Sequence, residues 1–366
     1  MAHRKAVILL SRQSLRPNSR TDWIQNTVRA VKWICDHNLV LITSIGMQTW
    51  ELLTALAVEF NLEQEVHIPS FDERAFLQSK KWIIEQFSPD ENRIRFIPVF
   101  PTNGDKKKDM PIHRDRATVD TADIVIPISV RPKGNMEQLV NEAIVTDKTV
   151  VSTFSTTYRS RTDKLKYEIV NHSLNPELDK IDSKYLIHWT RSSNGAWPDE
   201  CQIDYWRAVI YSEEYPRGGF DTLKHILTTE SIIASSRHMP NKIASVSFSG
   251  LSPSKALKLM RWRARYREMS FEPYGIGIDR DYALKYGVAA VLYSNSGIQK
   301  QHDVDMWRRQ SRGRKTDWSS EEEYRYRDDI NLSKIPTDKL LAFCYRPDEA
   351  DSLKSTNGIR IISILA

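Results

Sequence analysis

Short apolar runs alternate with amphipathic segments over the first 160 residues of the chain. The apolar runs are KAVILL, LVLITSI, EVHIP, RIRFIPVF, DIVIPISV and KTVVSTF, and segments such as DWIQNTVRAVKWICDH and GNMEQLVNEAIVT separate them. Short buried strands separated by amphipathic helices are typical of a parallel α/β sheet. The pattern therefore predicts a Rossmann-like parallel sheet domain over residues 1–160.

The periodicity is lost after residue 160. Residues 161–182 are predicted to form a linker, and residues 183–366 a smaller α+β domain with short strands such as YLIHWT, ASVSFS, YGIGID and AAVLYS. Helices such as FDTLKHILTTESIIA are few in this half. The polar stretch QKQHDVDMWRRQSRGRKTDW, residues 299–318, is predicted to be an exposed loop. The expected fold class is α/β, with the α+β domain following the parallel sheet.

Length, charge and cysteine content narrow the functional classes. The 366 residues are enough for two cores, and no apolar run approaches the roughly 20 residues of a membrane-spanning helix. The apolar run near the N-terminus is too short for a signal peptide and is better interpreted as a strand. Three cysteines without metal-ligand spacing argue against a disulfide framework and a zinc site, which favours the cytoplasm. The net charge of +6 suits a nucleotide or nucleic-acid partner without selecting between them.

Four loops follow the carboxyl ends of predicted strands, where parallel sheets bind their ligands. Two of them, TSIGM and RPKGN, carry a glycine directly before a helix, so that the backbone can approach a phosphate at the favourable end of the helix dipole. The ligand-binding residues predicted in or near these loops are Ser11, Arg12, Ser44, Gly46, Arg114, Arg116, Arg131, Lys133, Gly134 and Asn135. The alternative is that the glycines only end strands, since neither GxGxxG nor a Walker A sequence is present.

The stretch RDRATVDTADIVIPISVRPKGNMEQ carries a family resemblance. Arg114 opens a helix, Ala122 and Asp123 enter a buried strand, and the turn PKGNMEQ follows. This order resembles the SLOG superfamily, which joins the DNA-processing protein DprA with LOG-type phosphoribohydrolases. The likeness covers roughly residues 5 to 160 and implies a Rossmann-like fold that binds a nucleotide or a nucleotide-derived signal.

Two departures from the SLOG pattern bear on catalysis. Pro132 and Lys133 replace a double glycine, and Gln138 stands at the place of the family's catalytic Glu, with Glu137 one residue earlier. A Gln cannot act as a carboxylate nucleophile or a general base, so sensing is favoured over cleavage. A nucleotide N-glycosidase that uses the displaced Glu137 is a less favoured expectation.

The second half combines a histidine, an aromatic strand and a late acidic run. His188 lies in HWTR, Tyr274 in FEPYGIGID, and Glu321 and Glu323 in SSEEEYRYRDD. With the strand VSFS between them, this order resembles ADP-ribosyltransferase-like domains and domains of unknown function in bacterial abortive-infection proteins. The resemblance implies that His188 grips the ribose of NAD, that Tyr274 stacks on nicotinamide, and that Glu323, or its rival Glu321, stabilises an oxocarbenium-like transition state.

These residues could also have purely structural roles. A histidine such as His188 is also typical of a core residue with satisfied hydrogen bonds. The run EEEYRYRDD is also typical of an exposed helix, with the pairs Glu321–Arg325 and Glu323–Arg327 one turn apart.

The stretch RWRARYRE alternates arginines with aromatic residues. In an extended strand the four arginines would line one face and could bind nucleic acid through phosphate contacts and stacking, whereas in a helix they would be spread around the axis. These arginines are Arg261, Arg263, Arg265 and Arg267.

The two resemblances together imply a bacterial defence or stress protein with two domains. The first domain would sense a nucleotide, and the second would act as effector, as an NAD-dependent ADP-ribosyltransferase or NAD glycohydrolase that needs no metal. The alternative is a non-catalytic, DprA-like nucleic-acid-binding protein. A homo-oligomer is compatible with both, and no membrane partner is expected.

Overall fold

The computed structural model describes residues 4–100, 110–159, 164–237, 239, 242–294, 304–312, 318–353 and 358–366. The chain forms two compact units. The first contains Met1–Asp163 and Asn194–Pro216, and the second contains Lys164–Ser193 and Arg217–Ala366. Residues 194–216 were expected in the second domain but group with the first unit, and most of the expected linker belongs to the second.

The helices and strands follow in chain order. The first part of the chain contains β1 (Lys5–Leu10), α1 (Asp22–Asp36), β2 (Val40–Ser44), α2 (Trp50–Glu59), β3 (Gln64–Pro69), α3 (Glu73–Phe87), β4 (Ile94–Val99), α4 (Met110–Asp120), β5 (Ile124–Ser129), α5 (Asn135–Val145) and β6 (Thr149–Val150). The second part contains α6 (Glu177–Ile181), β7 (Tyr185–Trp189), α7 (Gln202–Tyr211), α8 (Gly219–Thr229), β8 (Ser231–Ile232), β9 (Val246–Ser249), α9 (Pro253–Leu257), β10 (Trp262–Arg263), β11 (Glu268–Met269), β12 (Gly275–Asp279), α10 (Arg280–Tyr286), β13 (Ala289–Ala290), β14 (Leu292–Ser294), β15 (Arg309–Ser311), β16 (Glu323–Tyr326), β17 (Ile330–Asn331), β18 (Leu340–Cys344), α11 (Pro347–Leu353) and β19 (Arg360–Ser363).

The first unit is built on a parallel sheet with the strand order β4-β3-β2-β1-β5-β6. Its central strands are buried along nearly their whole length, as is typical of strands covered by helices on both faces. Successive residues of β1 face opposite cores, because Ile8 belongs to the cluster with α1 and α2, and Val7 to the cluster with α4 and α5. The predicted Rossmann-like α/β fold is confirmed.

Helix α7 completes the larger core of the first unit. It packs on α2 and α3 and buries Ile203, Tyr205, Trp206 and Val209. The inserted segment leaves and rejoins the second unit at neighbouring points, since the Ser193 N–H donates to the Arg217 carbonyl at 2.9 Å. A helix distant in sequence thus covers the apolar faces of two earlier helices.

The second unit is built on a mixed sheet with the order β13-β16-β9-β7-β12-β18-β19. Its neighbouring strands pair antiparallel, except for the parallel pair β18 and β19. Strand β16 corrects the helical interpretation of EEEYRYRDD: Tyr324 and Tyr326 pack on the core, and Glu323 pairs with Arg325 two residues away. Period-two alternation, rather than helical spacing, thus organises this segment.

The predicted loop over residues 299–318 is described only in part. Within it, Arg309–Ser311 forms β15 and pairs with β14, so the loop prediction is wrong for these residues. Residues 299–303 and 313–317 lie outside the described residues. Across the described part of the chain, none of the helices combines the length and apolar character that a membrane crossing needs.

Candidate functional sites

The strand order of the first unit creates a crevice between β1 and β5. The chain runs from β1 through β2 and β3 to β4 on one side, and then returns to β5 and β6 on the other side of β1. The loops after β1 and β5 therefore leave the sheet in opposite directions at its carboxyl edge. In open parallel sheets this switch point is the usual place of ligand binding.

Ser11 joins the two loops of this switch point. Its backbone N–H donates to the Ser129 carbonyl at 2.9 Å, and its Oγ accepts from the Arg131 N–H at 2.8 Å. The buried Gln13 donates from Nε2 to the carbonyls of Ser11 at 3.1 Å and Ser129 at 3.2 Å. These bonds fix the backbone after both strands, whereas the neighbouring Arg12 side chain is exposed.

Helix α5 begins at the switch point. Gly134 is its N-cap, and the backbone of Lys133 is left-handed with φ 57°. The Lys133 N–H donates to Glu137 Oε2 at 2.7 Å, so the carboxylate of Glu137 caps the start of its own helix. This bond engages the group that the N-glycosidase hypothesis requires, while the Gln138 side chain is exposed.

Arg114 of α4 lies beside the start of α5. Its Nε and Nη2 donate to Asp115 Oδ1 at 2.9 and 2.6 Å, and its Nη1 donates to the Ile45 carbonyl at 3.3 Å. Asp115 also accepts from Asn135 Nδ2 at 3.2 Å and is 5% exposed. Burial raises the pKa of Asp115, and the charge of Arg114 and the hydrogen bonds lower it in part. A buried carboxylate therefore orients the arginine and partly neutralises it.

Gly46 makes room for Arg114. Its φ is 86°, in the left-handed region that favours glycine, and a Cβ at this position would collide with Arg114 Nη1. The glycine of TSIGM therefore has a steric reason as well as a conformational one.

Two predicted ligand-binding side chains turn away from the start of α5. Ser44 is fully buried and donates from Oγ to the His67 carbonyl at 3.0 Å. Arg116 forms an exposed pair with Glu142, near the other end of α5, at 2.8 Å. The structure therefore brings together Ser11, Arg114, Arg131, Lys133, Gly134 and Asn135 at the switch point.

In the second unit, Glu323 lies on β16 in a fixed geometry. It accepts from Arg325 Nε at 2.7 Å and Nη2 at 3.2 Å, and from Ser247 Oγ at 3.0 Å. Arg325 is buried and also donates to the Trp307 carbonyl and to Gln310. The carboxylate is thus held on two sides while one fifth of its side chain stays exposed.

His188 is hydrogen-bonded to Ser247 of β9, the residue whose hydroxyl also bonds Glu323. The separation between its Nδ1 and the Ser247 carbonyl is 2.8 Å, which assigns the Nδ1 proton and leaves Nε2 as an acceptor in the neutral ring. Burial lowers the pKa of His188, the Ser247 bond raises it in part, and the charge of Arg191 lowers it further. A neutral, half-buried histidine of this kind can accept a hydrogen bond from a hydroxyl group.

Glu321 is the less constrained of the two predicted acids. Its Oε1 is 3.9 Å from Arg261 Nη2, and its side chain is 40% exposed. Burial raises the pKa of Glu321, Arg261 and Arg263 lower it in part, and the charge of Glu323 raises it. Glu323 is therefore a carboxylate fixed by hydrogen bonds, whereas Glu321 takes up a proton more readily than an ordinary Glu.

Among the described residues, three arginines approach one buried acid, Glu268 of β11. The distances from their nitrogens to its carboxylate are 3.5 Å for Arg191, 3.0 Å for Arg237 and 4.0 Å for Arg263. Burial lowers the pKa of Arg191, Glu268 raises it, and the two other arginines lower it. We call these three arginines the arginine cluster. Its three positive charges exceed the negative charges of Glu268 and of Glu272, which also acts on Arg191, and this excess favours binding of an anion.

The acids, His188 and the arginine cluster form one connected set. The Ser247 carbonyl accepts from His188 and the Ser247 hydroxyl donates to Glu323, the charge of Glu323 raises the pKa of Glu321, and Arg263 of the arginine cluster lowers that pKa. Arg191 of the cluster then acts back on His188. We call this closed set the carboxylate ring. It contains two acids, an acceptor nitrogen and an excess of positive charge, linked by hydrogen bonds at Ser247 and by charge interactions.

Tyr274 occupies a different place from the one that stacking on nicotinamide requires. It is 5% exposed and packs in the core with Tyr167 and Phe220. Its hydroxyl donates to Glu349 Oε1 at 3.0 Å, and Glu349 also accepts backbone N–H groups before α11. Burial raises the pKa of Tyr274. The contacts of Tyr274 hold α11 in place.

Four residues of these sites were missed by the sequence analysis: Asp115, Ser247, Glu268 and Arg237. Ser247 lies in the quoted strand VSFS, where two serines alternating with apolar residues were an available signal. Asp115 and Glu268 carry no such signal, because Asp and Glu are mostly exposed. Two partners of Glu268, Arg191 and Arg237, come from distant parts of the chain, whereas Arg114 is adjacent to Asp115.

No family model and no curated protein matches the chain. Among solved structures, the chain is similar to DNA processing protein A from Helicobacter pylori, described for its single-stranded DNA binding mode. The identity is 12%, the TM-score is 0.31, and the match covers 44% of this chain and 67% of that one. A likeness at this level carries no inference about the ligand of this chain.

Proposed function

We propose that the second unit cleaves the glycosidic bond of a dinucleotide such as NAD, and that the first unit binds a phosphorylated nucleotide at its switch point. The observation that carries the proposal is the carboxylate ring. Two carboxylates differ in their environment, and an anion site lies beside them. A place in bacterial defence and a cytoplasmic location stay predictions from the sequence.

The chemistry assigned to the ring follows from its charges. When the bond to nicotinamide breaks, the base leaves with the bonding electron pair and positive charge develops on the ribose. A carboxylate fixed in place, as Glu323 is by Arg325 and Ser247, favours that charge without reorganising. His188 Nε2 can accept from a ribose hydroxyl, and Glu321 can take the proton of the attacking water or acceptor. The arginine cluster supplies contacts for the pyrophosphate.

The role proposed for the first unit depends on the start of α5 and on exposed basic side chains, and not on carboxylates. The start of α5 supplies the favourable end of its helix dipole at the switch point, and the exposed Arg12, Arg131 and Lys133 add charge. Arg114 contributes orientation more than net charge, because Asp115 is bonded to it. A ligand phosphate at α5 is therefore the favoured form of nucleotide sensing.

The test of the proposed chemistry is nicotinamide release by the full-length protein, with and without cell extract, followed by mass spectrometry. Glu323→Gln is expected to slow release by about a hundredfold or more, since it removes the fixed charge. Glu322→Gln is the matched control, because this exposed neighbour lies outside the carboxylate ring. Absence of release under every condition, or equal losses in both variants, would overturn the assignment.

Nucleic-acid binding without catalysis is the second candidate. The basic stretch RWRARYRE favours it, because Arg263 of this stretch belongs to the arginine cluster and Arg261 lies 3.9 Å from Glu321. Oligonucleotide binding with no nicotinamide release would move the conclusion to this function.

A further inference from the structure

The stretch RWRARYRE forms a hairpin in which the arginines do not line one strand face. Strand β10 pairs with β11 through Trp262 opposite Met269 and Arg263 opposite Glu268. The turn between the strands places Arg263 at 4.7 Å and Arg265 at 5.7 Å from the ring centroid of Tyr266. Neither the extended face nor the helix of the sequence analysis is present; two guanidinium groups and one phenol ring form a compact stacking unit instead.

Positive charge is concentrated at this hairpin. Arg261 and Arg237 are about half exposed, at 47% and 53% of their side chains, and Arg265 is exposed. With the rest of the hairpin and the arginine cluster, six arginines stand against three acids, Glu268, Glu321 and Glu272, the last of which acts on Arg191. These six are Arg191, Arg237, Arg261, Arg263, Arg265 and Arg267. The six arginines exceed these three acids by three charges, compared with +6 for the whole chain.

We infer that the β10–β11 hairpin is a binding surface for single-stranded nucleic acid. Arginines that are spread over a hairpin can contact several phosphates of a polyanion, whereas binding of a single phosphate would need them gathered at one point. The guanidinium plane of the exposed Arg265, beside the Tyr266 ring, also offers a stacking surface to an unpaired base, which a duplex hides and an acidic peptide lacks. The inference does not rest on glycosidic bond cleavage and stands if that chemistry fails.

The β10–β11 hairpin lies next to Glu321 and the arginine cluster. Arg261 lies 3.9 Å from Glu321, and Arg263 belongs to the arginine cluster. A single-stranded nucleic acid bound along the hairpin therefore passes beside the carboxylate ring.

The experiment measures binding of labelled oligothymidylate and oligouridylate to the full-length protein by fluorescence anisotropy over a range of salt concentrations. Arg261→Gln/Arg265→Gln is expected to weaken binding at low salt by about tenfold or more and to reduce the slope of log affinity against log salt by about 1.4. Tyr266→Leu is expected to weaken binding about tenfold with the slope unchanged, because it removes stacking and no charge. Arg327→Gln, an exposed arginine just after β16, is the matched control.

Several results separate this surface from other anion sites. Binding that survives Glu323→Gln and is lost in the arginine variant assigns the surface independently of the chemistry. No oligonucleotide binding at low salt, or an equal loss in Arg327→Gln, would overturn the inference. Binding of phosphatidylserine vesicles or of inorganic pyrophosphate in place of the oligonucleotides would overturn it as well. A preference between the two oligonucleotides distinguishes DNA from RNA.

Discussion

Arg114 in the first unit has a carboxylate of its own, whereas the arginine cluster of the second unit shares one. Two nitrogens of Arg114, Nε and Nη2, donate to Asp115 Oδ1 at 2.9 and 2.6 Å. In the cluster, Glu268 is 2% exposed in its side chain and faces three guanidinium groups. The first arrangement orients a cation, and the second leaves positive charge for a ligand. The number of arginines near a loop therefore says less about anion binding than the number of carboxylates fixed beside them.

The largest expected effect on stability is in the second unit. Glu323→Gln leaves the charge of Arg325, which is 3% exposed, without its carboxylate and is expected to lower the free energy of unfolding by about 3 kcal/mol. Glu142→Gln in the first unit breaks an exposed pair, with side chains 51% and 46% accessible, and is expected to cost less than about 1 kcal/mol. Urea unfolding of both variants checks the difference. Similar costs would mean that Arg325 finds other partners.

The second prediction breaks the oriented pair of the first unit. Arg114→Gln is expected to cost about 2 to 3 kcal/mol at neutral pH, because the buried Asp115 loses its partner charge. The pKa of Asp115 already lies above its unfolded value, so its contribution to stability is present at low pH and is lost as pH rises through the folded pKa. Without Arg114 that loss should continue to higher pH. Unfolding measured from acid to neutral pH checks this, and a cost that is the same at every pH contradicts it.

The third prediction concerns the close approach at Gly46. Gly46→Ala is expected to cost about 2 kcal/mol, because φ is 86° and the new methyl group would displace Arg114. Gly195→Ala, in the same unit, adds a Cβ that meets no atom within 4 Å and serves as the control. Thermal unfolding compares the two. An unchanged midpoint in Gly46→Ala would show that the loop after β2 yields freely.

The smallest expected effect is a shift in the pH profile of nicotinamide release. The raised pKa of Glu321 keeps its acid form to a higher pH than the ordinary value of 4.5, so the acidic limb of the profile should lie above that pH. Glu321→Gln should remove this limb, while Glu322→Gln should leave it in place. A limb that persists in Glu321→Gln would assign the titration to another group.

The parallel sheet could be predicted because burial on both faces leaves a strong pattern. The run DIVIPISV contains β5, in which every residue is buried, and no polar residue interrupts its center. Strand β16 has the sequence EYRY, and its charged residues also suit a helix, so the pattern alone left both structures open. Pairing with β9 resolves this ambiguity through contacts from a distant part of the chain.

The candidate sites could be predicted only where a local sequence signal, such as a glycine after a buried strand, indicates them. The turn before α5 was visible from Gly134 and the preceding strand, but the orientation of Arg114 depends on Asn135, twenty residues after Asp115. In the second unit, Ser247 and Glu323 are 76 positions apart, and their bond follows from strand order. Spacing along the sequence does not encode such contacts.

The inserted helix α7 has a consequence for biosynthesis. A ribosome completes β7 of the second unit before it makes the helix that covers α2 and α3 of the first. Until residue 211 has emerged, the partner surface for Trp206 and Val209 is exposed on the nascent chain. A gene truncated after codon 163 would make that exposure permanent, and its product is expected to aggregate. The core of the first unit is therefore expected to be complete only in a chain that continues through residue 211.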